Sequence, residues 1–351
     1  GIAQRWILGV NRMNGRERIE AMCTGRRPDR PPFAPAVYEH KAALVGTSPS
    51  ILAQDARLLE RALLREAEVY DPDLLTVGVD VYNVEAEAFG SPVRFFESND
   101  VPSVEGPILV PGGDIGRLVL PDPESSSRMP LFLAAGEAVQ RRLGQEKIVR
   151  GALSSPFSIA CELVGSAEMA MAMIDRPEWV SKLLAVTSEA AKAYGRAFIR
   201  RGLGVILFDS HAAPPLVSPA LYRSLVLPAT ASVIGYFRGA LGQGLVPYII
   251  GGDTSRILED ILATGTNNVL CDFRVDLAGF LDRLAGSPVL VRANLDPRFL
   301  ETAPVEEVRN KAAEVVFAGR RHPGFILGTG ILSYDMPPEK VLAVRDGLST
   351  R

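Results

Sequence analysis

Eight short apolar runs recur along the chain, and nearly every one ends on a polar residue. The runs cover residues 32–37, 74–80, 147–153, 205–210, 246–252, 269–273, 289–295 and 325–330. Helical stretches separate most of them, and strands that alternate with helices form a parallel sheet. Runs this apolar are typical of strands that are buried on both faces. Eight such units favour an α/β fold closed into a (β/α)8 TIM barrel over an open doubly wound sheet.

Two segments fall outside this alternation. Residues 16–23 predict a short helix before the first strand, stopped by Gly25. Between Gly90 and Met129 the chain is rich in proline, glycine and serine, and a loop longer than ~12–15 residues is usually functional or disordered. We therefore predict a single domain over residues 1–351, with an N-terminal helical extension and a long irregular insertion after strand two. We interpret that insertion as a partial cover over the barrel mouth.

Composition limits the partners that the protein can bind. The 38 basic residues do not exceed the 41 acidic ones, so the net charge of −3 favours neither nucleic acid nor an anionic membrane. No apolar stretch approaches the ~18–20 residues that span a bilayer, and Gly1 to Trp6 show no signal-peptide pattern. Cys23, Cys161 and Cys271 form no paired motif. We expect a cytoplasmic protein with no nucleic-acid or membrane partner.

In barrels of this kind the chemistry takes place where the strands end. This rule selects a small set of side chains, namely His40, Asp80, Asp209, His211, Asp253, Asp272, Asn294 and Thr329. The sharpest local cluster is Asp209-Ser210-His211, at the end of the fourth run. There His211 could act as an acid/base or metal ligand, oriented by the carboxylate of Asp209. The alternative is that both side chains only tie down the loop through backbone hydrogen bonds.

Other rim candidates follow the first and second runs. Asp80 and Tyr82 come directly after the second run, and we predict both as site residues. Glu85 and Glu87 either join them in an acidic cluster or complement the dipole at a helix N-terminus. His40 follows the first run, and it is either a site residue or a solvated surface histidine.

Three further candidates follow later runs. Asp272, beside Cys271, is a polar rim residue after the sixth run, whereas Cys271 itself is expected to pack. Asn294 is predicted to point at a ligand, and Thr329 to donate a hydrogen bond to one. We expect Asp253 to cap the helix that follows it.

Several junctions together form a recognisable set. They are Asp29-Arg30-Pro31-Pro32, residues 80–90, Ser155-Pro156-Phe157, Asp209-Ser210 with Pro214-Pro215 and Ser218-Pro219, Asn294-Leu295-Asp296-Pro297, and Gly328-Thr329-Gly330 with Pro337-Pro338-Glu339. Their order and spacing, over about residues 15 to 347, resemble the uroporphyrinogen decarboxylase superfamily. That resemblance implies one of two kinds of barrel enzyme: cofactor-free decarboxylases of a tetrapyrrole, or methyltransferases that work with a corrinoid protein.

The chain departs from the decarboxylase pattern. The resemblance implies an arginine-rich loop after strand one, but here only Lys41 could imitate an arginine. It also implies a histidine between two glycines after strand eight, where this chain has Thr329. Asp80 lies close to the expected acidic position, with one residue inserted before Gly90. A substrate with eight carboxylates needs several fixed cations, and the predicted rim of this chain offers few. The sequence therefore does not favour porphyrinogen decarboxylation.

The chain also departs from the zinc-dependent methyltransferases. For those enzymes the resemblance implies a His-x-Cys pair after strand five and a further cysteine after strand eight. At the matching positions this chain has Ile249, Gly251 and Ile331. Zinc held by sulfur suits a thiol methyl acceptor, so its loss favours a methyl group bound to oxygen or nitrogen. Whether zinc is used stays open, with His211 and Asp209 as the candidate ligands.

We predict methyl transfer between a small-molecule methyl donor and a corrinoid carried by a partner protein. The predicted catalytic residues are His211, Asp209 and Asp80, and the predicted substrate-binding residues are His40, Tyr82, Asp272, Asn294 and Thr329. The alternative is a carboxy-lyase acting on a tetrapyrrole or small acid. A third interpretation is a barrel without chemistry that binds a tetrapyrrole or corrinoid partner. The resemblance further implies a homodimer.

Overall fold

The computed structural model describes residues 12–349, and each predicted run holds one strand. The strands are β1 (Phe33–Ala36), β2 (Leu74–Val77), β3 (Ile148–Ser154), β4 (Gly204–Phe208), β5 (Tyr248–Ile249), β6 (Asn268–Cys271), β7 (Leu290–Leu295) and β8 (Phe325–Ile331). The inference about the first six residues lies outside the described part of the chain. The extent of the single domain, residues 1–351, stays a prediction.

The strands form two parallel ladders that together close a circle. One ladder has the order β2-β3-β4-β5 and the other β6-β7-β8-β1. A parallel bridge between Pro247 and Asn268 joins β5 to β6. At the second seam the backbone N–H of Asp73 donates to the carbonyl of Phe33 at 2.9 Å, which joins β2 to β1. The predicted (β/α)8 barrel is therefore confirmed.

Helices cover the outside of the barrel. They are α1 (Gly15–Cys23), α2 (His40–Leu44), α3 (Pro49–Leu52), α4 (Ala56–Tyr70), α5 (Asn83–Ala88), α6 (Met129–Leu143), α7 (Pro156–Val164), α8 (Ser166–Asp175), α9 (Pro177–Arg200), α10 (Pro219–Leu221), α11 (Leu227–Leu241), α12 (Leu258–Ala263), α13 (Leu277–Arg283), α14 (Pro297–Thr302), α15 (Val305–Gly319) and α16 (Pro338–Gly347). Helix α1, before β1, is the predicted N-terminal extension. A π-helical turn, Tyr222–Val226, joins α10 to α11.

Helix α1 closes the end of the barrel where the strands begin. Its Ile19 and Met22 pack against Leu74, Leu290 and Ile326 in one buried cluster. Burying an apolar side chain of this size contributes roughly 1.5–3 kcal/mol. Because this end is filled with hydrocarbon, the polar end lies at the opposite rim, where the strands finish.

The segment between α5 and α6 has little regular structure, as predicted. It contains only a hairpin of Val93–Arg94 with Ser103–Val104 and a single 3₁₀ turn. Its contacts follow the outer helices: the indole N–H of Trp179 donates to the carbonyl of Gly113 at 2.8 Å, and Arg201 pairs with Glu124 at 2.7 Å. These two contacts place Gly113 and Glu124 along the outer helices, whereas the backbone N–H groups of Ile108 and Leu109 donate to the carbonyl of Leu163, near the end of α7. The interpretation of the insertion as a partial cover over the mouth stays a prediction.

One helical span is more apolar than the sequence led us to expect. Pro219–Leu241, with 23 residues, is long and apolar enough to cross a membrane, and the bent pair of α7 and α8 passes the same test together. The span forms part of the barrel wall, where Val233, Ile234 and Phe237 are buried. Core helices of soluble proteins also meet this test, so the observation is weak evidence for a membrane.

Lys41 fills the seam between β1 and β2. Its ammonium group is fully buried and donates to the carbonyls of Thr76 at 3.1 Å and Gly78 at 2.8 Å. The carboxylate of Glu66, on α4, lies 3.8 Å away. The lysine thus satisfies β2 carbonyls where the two ladders do not pair. This corrects the idea that Lys41 stands in for a substrate-binding arginine.

At pH 8, where Glu66 is ionised, we expect Lys41→Met to destabilise the protein by about 3–5 kcal/mol, because it leaves two buried carbonyls without a donor and Glu66 without a cation. Urea unfolding measures the change. The matched control is Lys311→Met on the exposed pair with Glu314 at 3.0 Å, where the loss should stay below about 1 kcal/mol. Equal losses in the two variants would contradict the assignment.

The same seam predicts a pH dependence of stability. Burial raises the pKa of Glu66 to about 7, and its Oε2 has no hydrogen-bond partner within residues 12–349. The folded state therefore keeps a proton that the unfolded chain releases near the ordinary value of 4.5. The retained proton contributes on the order of 3 kcal/mol to the free energy of unfolding. This contribution is fully present below pH 4.5 and is lost as the pH rises through about 7.

Glu66→Gln should remove this dependence, since the amide does not titrate. Unfolding measured from pH 5 to pH 8 should be flatter for the variant, by roughly the amount above, and the variant should be the more stable protein at pH 8. Parallel curves for the variant and the wild type would show that Glu66 is not the group responsible.

Candidate active site at the barrel rim

His211 lies in a one-turn 3₁₀ helix directly after β4. Its Nδ1 is 3.1 Å from the hydroxyl of Ser158, on the first turns of α7. Ser155 caps α7 and Pro156 opens it, and this start fixes where Ser158 lies. The ring of Tyr82 packs edge-on against His211 with centroids 4.9 Å apart. Loops that follow three neighbouring strands therefore meet at this histidine.

A chain of hydroxyl groups connects His211 to the buried carboxylate of Asp209. Ser158 donates to Asp209 Oδ1 at 2.6 Å, and Tyr248 donates to Oδ2, also at 2.6 Å. Tyr222 in turn donates to the hydroxyl of Tyr248 at 3.1 Å. The structure thus brings His211 and Asp209 together, as predicted, but Ser158 stands between them. The contact through which Asp209 can orient the imidazole is therefore the hydroxyl of Ser158.

Burial sets the electrostatics of this chain. Removal from water raises the pKa of Asp209, whereas hydrogen bonds from Ser155, Ser158 and Tyr248 act to lower it. Burial, with the neighbouring Asp209 carboxylate second, also raises the pKa of Tyr248 well above its usual range. Tyr248 therefore stays a hydrogen-bond donor at neutral pH. Three hydroxyl donors solvate a carboxylate that water does not reach.

The outer face of His211 meets Glu162, one helical turn after Ser158. The two groups are 3.2 Å apart, Nε2 to Oε1, and their side chains are 20% and 21% exposed. Ser158 gives its only hydrogen to Asp209, so its oxygen must accept from Nδ1–H of His211. A proton is then also needed between Nε2 and the carboxylate, since two acceptors would repel. The His211–Glu162 pair is thus a proton-holding group at the rim.

Sequence reasoning missed Ser158, Glu162 and Tyr248. The spacing of Ser158 and Glu162, four residues apart after a Ser-Pro helix start, places both on one helix face and was the available signal. Tyr248 gave no signal, because it lies inside an apolar run.

Asp80 does not face the mouth, which corrects its prediction as a catalytic residue. Its fully buried carboxylate accepts two bonds from Arg128, Nη1 to Oδ1 at 2.9 Å and Nη2 to Oδ2 at 2.7 Å. The side-chain amide of Asn83 donates to Oδ2 at 3.0 Å. Arg128 also pairs with Glu87 at 2.5 Å. Glu85 accepts from the backbone and hydroxyl of Ser154. Asp80 and Glu87 thus share one guanidinium, and Glu85 has a partner of its own.

Tyr82 is held against His211 in an unusual backbone conformation. Its φ of +84° lies in the left-handed region, which costs free energy for a residue with a side chain. Its hydroxyl accepts the backbone N–H of Ser210 at 2.9 Å. Tyr82 is thus at the rim, as expected, and its role toward a substrate stays a prediction.

Two other predicted residues are buried and have protein partners. His40 is buried, its Nδ1 lies 3.1 Å from the carbonyl of Ser333, and the hydroxyl of Tyr70 lies 2.6 Å from Nε2. Both ring nitrogens are therefore occupied within the protein. The hydroxyl of Thr329 accepts the backbone N–H of Ala36 at 3.0 Å, and the residue is fully buried. Both residues join structural elements, so their substrate-binding assignments are corrected.

Asp272 and Asn294 remain close to the end of the barrel. The carboxylate of Asp272 accepts the backbone N–H groups of Gly252 at 2.9 Å and Arg274 at 3.0 Å, which ties the loops after β5 and β6 together. Asn294 is half-buried, and its Oδ1 accepts from Nε of Arg292 at 2.9 Å. Their part in substrate binding stays a prediction.

The residues at the rim do not fit a zinc ion. Within residues 12–349 no group of three or more His, Cys, Asp or Glu side chains comes together. Both nitrogens of His211 and both carboxylate oxygens of Asp209 already have protein partners. We therefore derive no step through a metal.

Comparison with known proteins identifies the family. A family model described as uroporphyrinogen decarboxylase (URO-D) matches residues 14–349. A uroporphyrinogen decarboxylase from Aromatoleum aromaticum is 32% identical over 287 residues, which cover 79% of this chain and 78% of that protein. One from Magnetococcus marinus is 26% identical over 307 residues, covering 84% and 83%. The chain belongs to the uroporphyrinogen decarboxylase family.

A solved structure shows the same fold. A methyltransferase from Methanosarcina mazei superposes with a TM-score of 0.85 at 20% sequence identity, over 95% of this chain and 98% of that one. At this identity the likeness concerns the fold alone. The family is one of enzymes, and the fold is shared by a decarboxylase branch and a methyltransferase branch.

We expect Asp80→Asn to lower stability by about 3 kcal/mol, because Arg128 keeps a buried charge after losing its bidentate partner. Urea unfolding measures the loss. Asp282→Asn is the matched control, since that carboxylate is 70% exposed and pairs with Arg321 at the surface, so the change should be below about 1 kcal/mol. A stability of Asp80→Asn equal to the wild type would refute the structural role.

Proposed function

We propose that the protein is a methyltransferase that moves a methyl group between a small methylated donor and a corrinoid carried by a partner protein. The observation that carries the proposal is the His211–Glu162 pair, which holds a proton at the rim and is backed by the buried Asp209 network. Such a pair suits the activation of a poor leaving group.

In the proposed reaction His211 protonates the leaving group. A corrinoid reduced to cobalt(I) and held by a partner protein would supply the nucleophile for the methyl group. The bond from the methyl carbon to the donor's oxygen or nitrogen breaks, its electron pair leaves with that atom, and His211 gives the atom a proton. Glu162 and Ser158 hold the imidazole in position. Tyr82 packs on the ring and limits its rotation.

A carboxy-lyase acting on a tetrapyrrole or small acid is the second candidate. It is favoured by the curated relatives, which are named uroporphyrinogen decarboxylase. Two observations make the carboxy-lyase the less favoured candidate. The carboxylate of Asp80 is paired with Arg128, and the ammonium group of Lys41 is bonded to carbonyls in the β1–β2 seam. A substrate with many carboxylates then finds no basic residue free in the loop after β1.

We also propose a cytoplasmic location, a corrinoid protein as partner, and a homodimer. The three cysteines, which are all free thiols, suit a reducing compartment.

The test is methyl transfer from methoxy and methylamine donors to a purified corrinoid protein reduced to cobalt(I), followed by the absorbance of methyl-cobalt. We expect His211→Gln to lower the rate by about 10²–10⁴-fold, the usual contribution of a general acid. Ser158→Ala, which removes only the orienting hydroxyl, should cost roughly tenfold.

The control is His322→Gln, because His322 precedes β8 at the opposite end of the barrel and lies 2.8 Å from the carbonyl of Val289. Its rate should match the wild type once folding is verified by circular dichroism. Absence of transfer from every donor, or a full rate in His211→Gln, would reject the proposal.

A further inference from the structure

Two arginines in the barrel interior have no carboxylate within salt-bridge distance among the described residues, although the more distant carboxylate of Glu66 acts on the charge of Arg150. Arg150 lies on β3 and Arg292 on β7, and each is only 4% exposed. In the part of the chain that the structure describes, neither forms a salt bridge. Burying an unpaired charge is costly, and proteins normally provide a counter-ion. Two such charges within one barrel therefore point to an anion that comes from outside.

Most hydrogen-bond donors of these guanidinium groups are unused. Arg150 donates through Nε to the hydroxyl of Thr76 at 3.1 Å. Arg292 donates through Nε to Asn294 and through Nη2 to the carbonyl of Thr329 at 3.2 Å. Each guanidinium carries five N–H donors. Both terminal amino groups of Arg150 and Nη1 of Arg292 thus lack an acceptor among residues 12–349.

Tyr38 adds a third unused donor. It is 3% exposed, its ring packs edge-on against Phe208 at 5.6 Å, and its hydroxyl has no hydrogen-bond partner among the described residues. Burial raises its pKa to about 12, while the nearby charges of Arg292 and Arg150 act in the opposite direction. The hydroxyl therefore lies near both guanidinium groups and keeps its proton at neutral pH.

The positive charge of Arg292 acts on Arg150. Burial lowers the pKa of Arg150 to about 9, and the positive charge of Arg292 is the next contribution. An anion between them would relieve both effects. Gly328, on the neighbouring strand β8, leaves the room that Arg292 occupies, because a Cβ there would collide with Arg292 Nε and Asn294 Oδ1.

We propose that Arg150, Arg292 and Tyr38 form a subsite in the barrel interior that binds the carboxylate group of a small substrate. A guanidinium group matches the planar, two-oxygen geometry of a carboxylate. Ala36, Ile206 and Leu270 line the same interior and offer only apolar contact. Half-buried Asn294, bonded to Arg292, connects the subsite with the rim.

This inference deepens the proposed function, and it rests on that function only where it assigns the carboxylate to the methyl donor. A donor anchored at the arginines would reach from the barrel interior toward His211 at the rim. The methyl group of such a donor would be carried by oxygen or nitrogen at the end remote from its carboxylate.

The experiment is isothermal titration calorimetry of the whole chain with 4-methoxybenzoate and N,N-dimethylglycine, without corrinoid. Anisole and trimethylamine, which lack the carboxylate, are the matched ligands, and we expect them to bind at least tenfold more weakly. Arg150→Met and Arg292→Met should each weaken carboxylate binding at least tenfold. Tyr38→Phe should weaken it a few-fold. Arg223→Met removes an exposed guanidinium that pairs with Asp260 outside the subsite, and the folded variant should bind as the wild type does.

Arg150→Lys and Arg292→Lys keep the charge and guard against misfolding of the methionine variants, and their binding should be intermediate. If neither carboxylate binds, or if both methionine variants bind as tightly as the wild type, the subsite is wrong. Tighter binding of inorganic phosphate than of either carboxylate would overturn the carboxylate assignment.

Separate outcomes distinguish the two proposals. Carboxylate binding that depends on the arginines, without methyl transfer from any donor, would support the subsite and reject the methyltransferase. Methyl transfer that proceeds equally fast from anisole and 4-methoxybenzoate would support the methyltransferase and reject the subsite.

Discussion

The buried ion pair of Asp80 with Arg128 is the constraint on which the arrangement of the rim depends. It pins the loop after β2 to the start of α6, with Asn83 as a further donor to the carboxylate. Only because this loop is fixed can Tyr82 be kept in a left-handed conformation with its ring against His211. A carboxylate at the position where the family resemblance suggests chemistry thus has a structural role in this protein.

The charges of the barrel are divided between its wall and its interior. In the wall, Arg128 pairs with both Asp80 and Glu87, and Lys41 lies beside Glu66. In the interior, Arg150 and Arg292 keep charges without a partner among the residues described. A chain with a net charge of −3 therefore has a cationic barrel interior. Placement, and not overall charge, decides which ligand it attracts.

The sequence predicted the strands well because burial on both faces leaves an apolar run that local inspection finds. It could not predict the partners, since Arg128 is 48 residues from Asp80 and Ser333 is 293 from His40. Thr329 was misplaced because its hydroxyl faces the neighbouring strand and not the cavity. Arg150 and Arg292 lie within strands and not at strand ends, so the rule that places chemistry at strand ends does not select them, although the sequence shows a charge inside an apolar run at both positions.

We infer that Asp80 holds the rim together and takes no part in chemistry on a porphyrinogen. The most direct test is release of labelled carbon dioxide from uroporphyrinogen by the wild-type protein without added cofactor. We expect no release above that of buffer, because Arg128 pairs with the carboxylate of Asp80 and the loop after β1 offers no free cation. Sustained release that disappears in Asp80→Asn, in a variant shown to be folded, would contradict it.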